Sequence, residues 1–285
     1  MSVFDTFEKK HDYLICVDSD GCAMDTMKCK HERCFGPCMV ERWELQEWAD
    51  DILSRWDYIN LYSMTRGINR FKGLAMALEE IDKQYKKIIG VKTLVEWANN
   101  APKLSNDALL EAVEECDDLD GKQCLYMAYL WSVAVNESIE NLHDSLKVPF
   151  VGALEGLREA HEFADVAVVS SANRDAVEKE WADHGLVDHV DILLTQDCGS
   201  KAHCIAEMLK KGYSLDHVLM VGDAPGDLDA ADKNGVLCFP ILVGAEMTSW
   251  ADFRRVALEN LKNGKYAGEY QADVKEKFYK NLGAR

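Results

Sequence analysis

The chain has 285 residues, 48% of them apolar, with 50 acidic side chains against 32 basic ones and a net charge of −18. That is material for one large domain or two, and the acidic balance argues against duplex nucleic acid or an anionic membrane as a partner, since both need a basic footprint. The opening MSVFDTFEKKHDY lacks the basic start and long apolar stretch of a secretory signal, no window approaches 18 consecutive apolar residues, and the ten cysteines include no CxxC pair; reduced thiols in a cytoplasmic protein are expected.

The first predicted strand is YLICV, residues 13–17, which stops at Asp18-Ser19-Asp20-Gly21. Two carboxylates one residue apart repel each other, and Gly21 lets the chain turn sharply after them. From about Met27 to Val148 no strand is convincing. Stripes of helical period run through Trp48, Ile52 and Trp56, then Phe71, Leu74, Leu78, Ile81 and Tyr85, then Leu125, Ala128, Tyr129, Ser132 and Val135, which predicts an all-helical insert with the tryptophans at 43, 48 and 56 in its core. Thr65-Arg66-Gly67-Ile68-Asn69-Arg70 is expected to open one of these helices with two guanidiniums.

Pro149 marks the return to the core. Four further β-branched runs follow: VAVVS (166–170), DILLT (191–195), VLMVG (218–222) and VLCFPIL (236–242). Helical stretches separate them, one ending at Gly185 and one running from an N-cap at Ser200 to Gly212. The tail resumes with TSWADFRRVALENLKNG, a helix expected to start on a capping box of Ser249 and Asp252. Strands alternating with helices predict an α/β fold, a doubly wound (Rossmann-like) parallel sheet. Its core would comprise residues 1–26 plus 149–285, with the all-helical domain of residues 27–148 inserted after the first strand.

Such sheets bind ligands beyond the carboxyl ends of their strands. Asp18 and Asp20 end the first strand, Ser170-Ser171-Ala172-Asn173 the second, and Asp223 and Asp227 follow the fourth, while Lys201 opens a helix after the third. Four carboxylates, a lysine and a hydroxyl would converge on one edge. Ser171 competes with Ser170 as that hydroxyl, and Asp25 reads as a turn or cap residue. Cys29, His31, Cys34 and Cys38 are close in sequence, but they lack zinc-site spacing and read as ordinary thiols and an imidazole. Lys28, Lys30 and His31 read as a solvated hinge.

These motifs, hhhhDxDG, hhhhS, SK and GDxxxD in that order, make the chain resemble the haloacid dehalogenase superfamily over roughly residues 10–26 and 149–245. Asp18-Ser-Asp-Gly-Cys-Ala-Met-Asp-Thr26 is similar to the branch of beta-phosphoglucomutase and phosphoglycolate phosphatase, whose C1-type helical cap falls where the insert lies; at about 120 residues the insert is longer than usual. The resemblance implies a phosphohydrolase that takes a small phosphorylated metabolite. Asp18 would attack phosphorus and form an aspartyl-phosphate, while Asp20 would protonate the leaving oxygen and then activate water. Mg²⁺ would lie between Asp18, the Asp20 carbonyl and Asp223, with Asp227 supporting it. Lys201 and Ser170 would hold phosphoryl oxygens, with Ser171 and Asn173 in the phosphate loop, and Arg66, Asn69 and Arg70 would select substrate from the cap. A phosphomutase uses the same motifs, a non-catalytic sensor on the same scaffold is the remaining alternative, and the oligomeric state stays open.

Overall fold

Each of the five apolar runs becomes a strand of one sheet in the computed structural model, which describes residues 2–283. The strands are β1 (Tyr13–Val17), β2 (Ala164–Val169), β3 (Ile192–Leu194), β4 (Val218–Gly222) and β5 (Leu237–Pro240). All neighbours pair in parallel, in the order β3-β2-β1-β4-β5. A parallel sheet is covered on both faces, so its strands read as unbroken apolar runs and not as alternating ones.

Successive side chains point to opposite faces, and each face has its own helices. Ile15, Val17, Val166, Val168, Leu219 and Val221 pack with Leu157, Trp181, Trp250 and Phe253. Leu14, Cys16, Ala167, Val169 and Met220 pack on the other side with Ile205 and Met208 of the helix Lys201–Leu209 and Leu228 and Ala231 of Pro225–Asn234. The sheet is therefore doubly wound.

One expected cap is corrected. The tail helix begins at Glu246, a turn earlier than expected. Ser249 lies inside it, buried, donating its hydroxyl to Ala245 O at 3.0 Å and accepting from Leu242 N–H at 3.0 Å. The Glu246 carboxylate, taking the Gly244 N–H at 2.8 Å, steadies the true start.

The chain divides into two compact units, one made of residues up to Met27 together with those from Asp144 onward, the other Lys28–His143. The second unit is helical: Ala49–Leu61, Arg70–Gln84, Val91–Asn100, Asn106–Glu115 and Leu119–Glu140 are its longer helices. Its core is aromatic. Trp56 and Trp131 meet edge to face with centroids 6.1 Å apart, and Phe71 packs edge-on to Trp131 at 6.3 Å. The indole N–H groups of these two find acceptors, Trp131 at Phe35 O and Trp56 at His31 Nδ1, both at 3.1 Å, as fully buried tryptophans usually do.

Candidate active site at the sheet edge

β1 is the central strand, and the chain leaves it for β2 and β3 on one side before returning to β4 and β5 on the other. The order reverses at β1, the switch point where open α/β sheets place ligand sites. Val17 is in register with Val168 and with Val221, so the residues just past these strands share one edge. Asp18 emerges there, its N–H donating to Val221 O at 2.9 Å. Ser170 follows β2 and donates its N–H to Leu194 O at 2.9 Å, and Asp223 follows β4.

Lys201 is the first residue of its helix, where Ser200 caps by accepting from His203 N–H at 3.2 Å. Its ammonium reaches two carboxylates, Asp18 Oδ1 at 2.9 Å and Asp227 Oδ1 at 2.5 Å. The other oxygen of Asp227 accepts from the N–H groups of Asp223 and Ala224 at 3.1 and 3.0 Å. Asp227 thus ties the end of β4 to Lys201. That tie needs a glycine at 222, because a Cβ there would come within 2.2 Å of Asp227 Cγ.

Asp18 is 6% exposed, Asp223 1% and Asp227 0%. Burial pushes the Asp18 carboxyl well above its usual range; Lys201 works against this, and the charges of Asp227 and Asp223 add to it. Burial tends to lower the Lys201 ammonium, but Asp18 and Asp227 hold it above its ordinary value.

The haloacid dehalogenase-like hydrolase family model matches residues 97–241, about half of the chain. The chain belongs to this family. The matched stretch contains Ser170, Lys201, Asp223 and Asp227, while Asp18 and Asp20 precede it. Among solved structures, a protein named as a phosphoglycolate phosphatase from Lactobacillus delbrueckii subsp. bulgaricus is 14% identical with a TM-score of 0.50, covering 96% of this chain and 100% of that one. A haloacid dehalogenase-like family hydrolase from Streptococcus pneumoniae is 13% identical with a TM-score of 0.48, covering 88% and 98%. At such identity the likeness concerns the fold. A comparison with curated proteins found no match.

A haloacid dehalogenase-like hydrolase is expected to hold Mg²⁺, and the donor set here suits it. Carboxylate oxygens of Asp18, Asp223 and Asp227 lie within 4.8 Å of one another, the one such group of three His, Cys, Asp or Glu residues among the described residues. All-oxygen donors match a hard cation. Both oxygens of Asp227 are already engaged by Lys201 and two N–H groups, which leaves Asp18 and Asp223 as the side chains that fit direct ligation.

Asp20 is half-buried, and Thr26 donates its hydroxyl to Asp20 Oδ1. Sequence reasoning passed over Thr26, although it stands in the quoted Asp-Thr pair; a hydroxyl six residues downstream, across a glycine turn, was the available signal. Asp25 is exposed and its N–H donates to Val148 O at 2.8 Å, a turn residue. Of the two serines, Ser170 is buried and Ser171 exposed, and Ser170 Oγ accepts from Ala172 N–H at 3.1 Å. Asn173 caps the helix Arg174–Asp183, accepting from Asp175 N–H at 2.9 Å.

Arg66, Asn69 and Arg70 belong to the helical unit. Asn69 is the N-cap of Arg70–Gln84, taking the Phe71 N–H at 2.9 Å. Arg66 is buried and donates to Leu61 O at 2.8 Å, at the carboxyl end of Ala49–Leu61. The expected helix opening at residue 65 is thus a turn whose side chains cap the preceding helix, and the next one starts only at Arg70. Arg70 Nη1 donates to Ser132 Oγ at 3.1 Å and Asn136 Oδ1 at 2.7 Å, with the guanidinium 5.0 Å from the Phe35 ring. Burial lowers it to about 10, so it stays charged near neutrality. Cys29, Cys34 and Cys38 are in no disulfide, and His31 Nδ1 accepts a hydrogen bond from the Trp56 indole N–H.

Proposed function

We propose that the chain is a Mg²⁺-dependent phosphohydrolase acting on a small phosphorylated metabolite through an aspartyl-phosphate on Asp18. The observation that carries this is the half-buried Lys201 ammonium bridging the buried carboxylates of Asp18 and Asp227 beside Asp223 at the switch point of the sheet. The match of residues 97–241 to the haloacid dehalogenase-like hydrolase family supports hydrolytic chemistry at this site.

Asp18 Oδ attacks phosphorus and the bond to the ester oxygen breaks. Asp20, held by Thr26, gives that oxygen its proton and later takes one from the water that cleaves the aspartyl-phosphate. Lys201 keeps Asp18 in place and sets a positive charge beside the phosphoryl oxygens. The Ser170 hydroxyl offers a further hydrogen bond at the same edge. Mg²⁺, held by Asp18 and Asp223, supplies charge that offsets the phosphoryl oxygens. Arg70 is the cation of the helical unit suited to selecting a carboxylate or second phosphate on the metabolite. Ten cysteines outside any disulfide accord with a cytoplasmic setting, and no helix among the described residues is long and apolar enough to cross a membrane.

The test is a panel of phosphate esters with Mg²⁺, comparing wild type with Asp18→Asn. Release of inorganic phosphate by wild type and its loss in the variant are expected. An isomeric phosphate in place of free phosphate would assign a mutase, and turnover by Asp18→Asn within tenfold of wild type would remove Asp18 as nucleophile.

A further inference from the structure

The turn that carries the two aspartates is held at both ends by buried tryptophans. Trp181, on the helix Arg174–Asp183, donates its indole N–H to Ser19 Oγ at 2.8 Å. Trp250, on the helix Glu246–Asp252, donates to Cys22 O at 3.0 Å. Trp181, Ser19, Cys22 and Trp250 are all 0% exposed. Ser19 is also the hub of the turn, since its carbonyl accepts from the N–H groups of Ala23 and Met24 at 3.0 and 2.9 Å. Its two chain neighbours are Asp18 and Asp20.

We propose that Trp181 is a positioning residue for this reaction: its indole N–H fixes Ser19 and thereby the directions in which Asp18 and Asp20 leave the main chain. Trp250 braces the far end of the same turn. The proposal rests on the phosphohydrolase reading for its kinetic effect, and on hydrogen-bond geometry for its mechanical one.

Three features support this over simple filling of the core. A hydroxyl is the one polar side chain between the two acids, and it turns into the apolar face of the sheet to meet the indole. Its partner lies on the helix that begins just after Ser170, so the same element that bounds the phosphate loop also fixes the nucleophile turn. Room is kept for the second tryptophan by Gly156, where a Cβ would come within 2.7 Å of Trp250 Cε3. Trp250 also lies beyond the family-matched stretch, which ends at residue 241, so the tail helix contributes to the turn.

Positioning within an active site is sensitive, because a displacement of about 1 Å can cost as much as 100-fold in rate. Trp181→Phe keeps the ring and removes the N–H. We expect kcat for a phosphate monoester to fall about tenfold with KM within about twofold, as for an interaction realised in the transition state. Ser19→Ala, a smaller change that protects against loss of folding, should give the same fall. The double variant should be no worse than either single one, because both remove one hydrogen bond. Hydrogen exchange at the Ala23 and Met24 amides should quicken in Trp181→Phe.

Single variants with kcat within twofold of wild type, or losses that multiply in the double variant, would overturn the proposal. If wild type hydrolyses no phosphate ester, the phosphohydrolase reading fails by itself. The exchange rates then still decide the mechanical claim, and unchanged protection at Ala23 and Met24 would end it.

Discussion

Both units bury polar side chains, but for different ends. In the helical unit, the side chains of Ser63, Thr65 and Arg66 gather at the end of Ala49–Leu61, donating to Ile59 O at 3.2 and 2.6 Å and to Leu61 O at 2.8 Å. They satisfy carbonyls that a helix terminus leaves without partners, and the guanidinium also suits the negative end of the helix dipole. In the sheet unit, beside buried hydroxyls such as Ser19 and Ser249, three buried carboxylates, Asp18, Asp223 and Asp227, gather about the Lys201 ammonium. The first arrangement completes a fold. The second maintains buried charge that packing alone does not require, which is the mark of a reactive centre.

That contrast can be broken at four points. The largest effect is expected from Asp20→Asn. Removing a general acid should cost about 10²- to 10⁴-fold in kcat on an alkyl phosphate and much less on a nitrophenyl phosphate, whose leaving group needs little protonation. Equal losses on both would take the acid role from Asp20.

Gly222→Ala tests whether the ion cluster depends on close approach of the backbone. The added methyl would collide with Asp227, so unfolding free energy should drop by about 1–3 kcal/mol, the usual cost of overpacking, with kcat falling as Asp227 is displaced from Lys201. Urea titration beside steady-state kinetics checks both, and an unperturbed variant would show that the Asp227 contact is loose.

The two arginines sharpen the comparison inside the helical unit. Arg70, whose partners here are all neutral, should matter to substrate: Arg70→Ala is expected to raise KM for a doubly anionic metabolite by about 10- to 100-fold, the scale of a charge-assisted hydrogen bond. Arg66→Ala should lower the melting temperature with KM little changed. A KM effect from Arg66 equal to that from Arg70 would erase the distinction.

The smallest effect belongs to Asp57, on Ala49–Leu61, whose Oδ1 is buried. Burial, with the charge of Glu32 added and Lys28 opposing, raises its carboxyl to about 6. A raised folded value means that stability is greatest while the group is protonated and declines as pH rises from the unfolded value of 3.8 through about 6. Asp57→Asn should therefore raise the melting temperature at pH 7.5, with the difference vanishing near pH 4. A variant equally stable to wild type at both values would place Asp57 in water.

Legibility in the sequence followed the same division. β1 and β4 were read with their observed limits, because parallel strands covered on both faces are short apolar runs with abrupt ends. The ions past them were legible because charges at such ends are conspicuous. Helices Val91–Asn100 and Asn106–Glu115 were not singled out, since Val91, Leu94 and Ala98, then Leu109, give only short buried stripes. The start of the tail helix was misplaced because Ser249 resembles a cap by type, whereas its hydroxyl bonds back to Ala245 O inside the helix, a habit of serine that sequence does not announce. Thr26 and Trp181 escaped for a different reason: each acts through a contact that exists only after folding.

β1 lies near the start of the chain and at the centre of the sheet, and this gives the protein a timetable. Its partners arrive late, with Ala167 against Cys16 and Met220 against that same Cys16. At about 5–20 residues per second on a ribosome, roughly 10–40 seconds separate Asp18 from Asp223. During that interval the helical unit, built from contacts close in sequence, has all its parts and can form first, as local topologies do. A nascent chain stopped short of β4 would carry β1 paired with β2 on one edge and open on the other, with neither Lys201's second carboxylate nor Asp223 in being. No product shortened before Asp227 can therefore hold the complete centre, and activity should switch on during synthesis as a single late event.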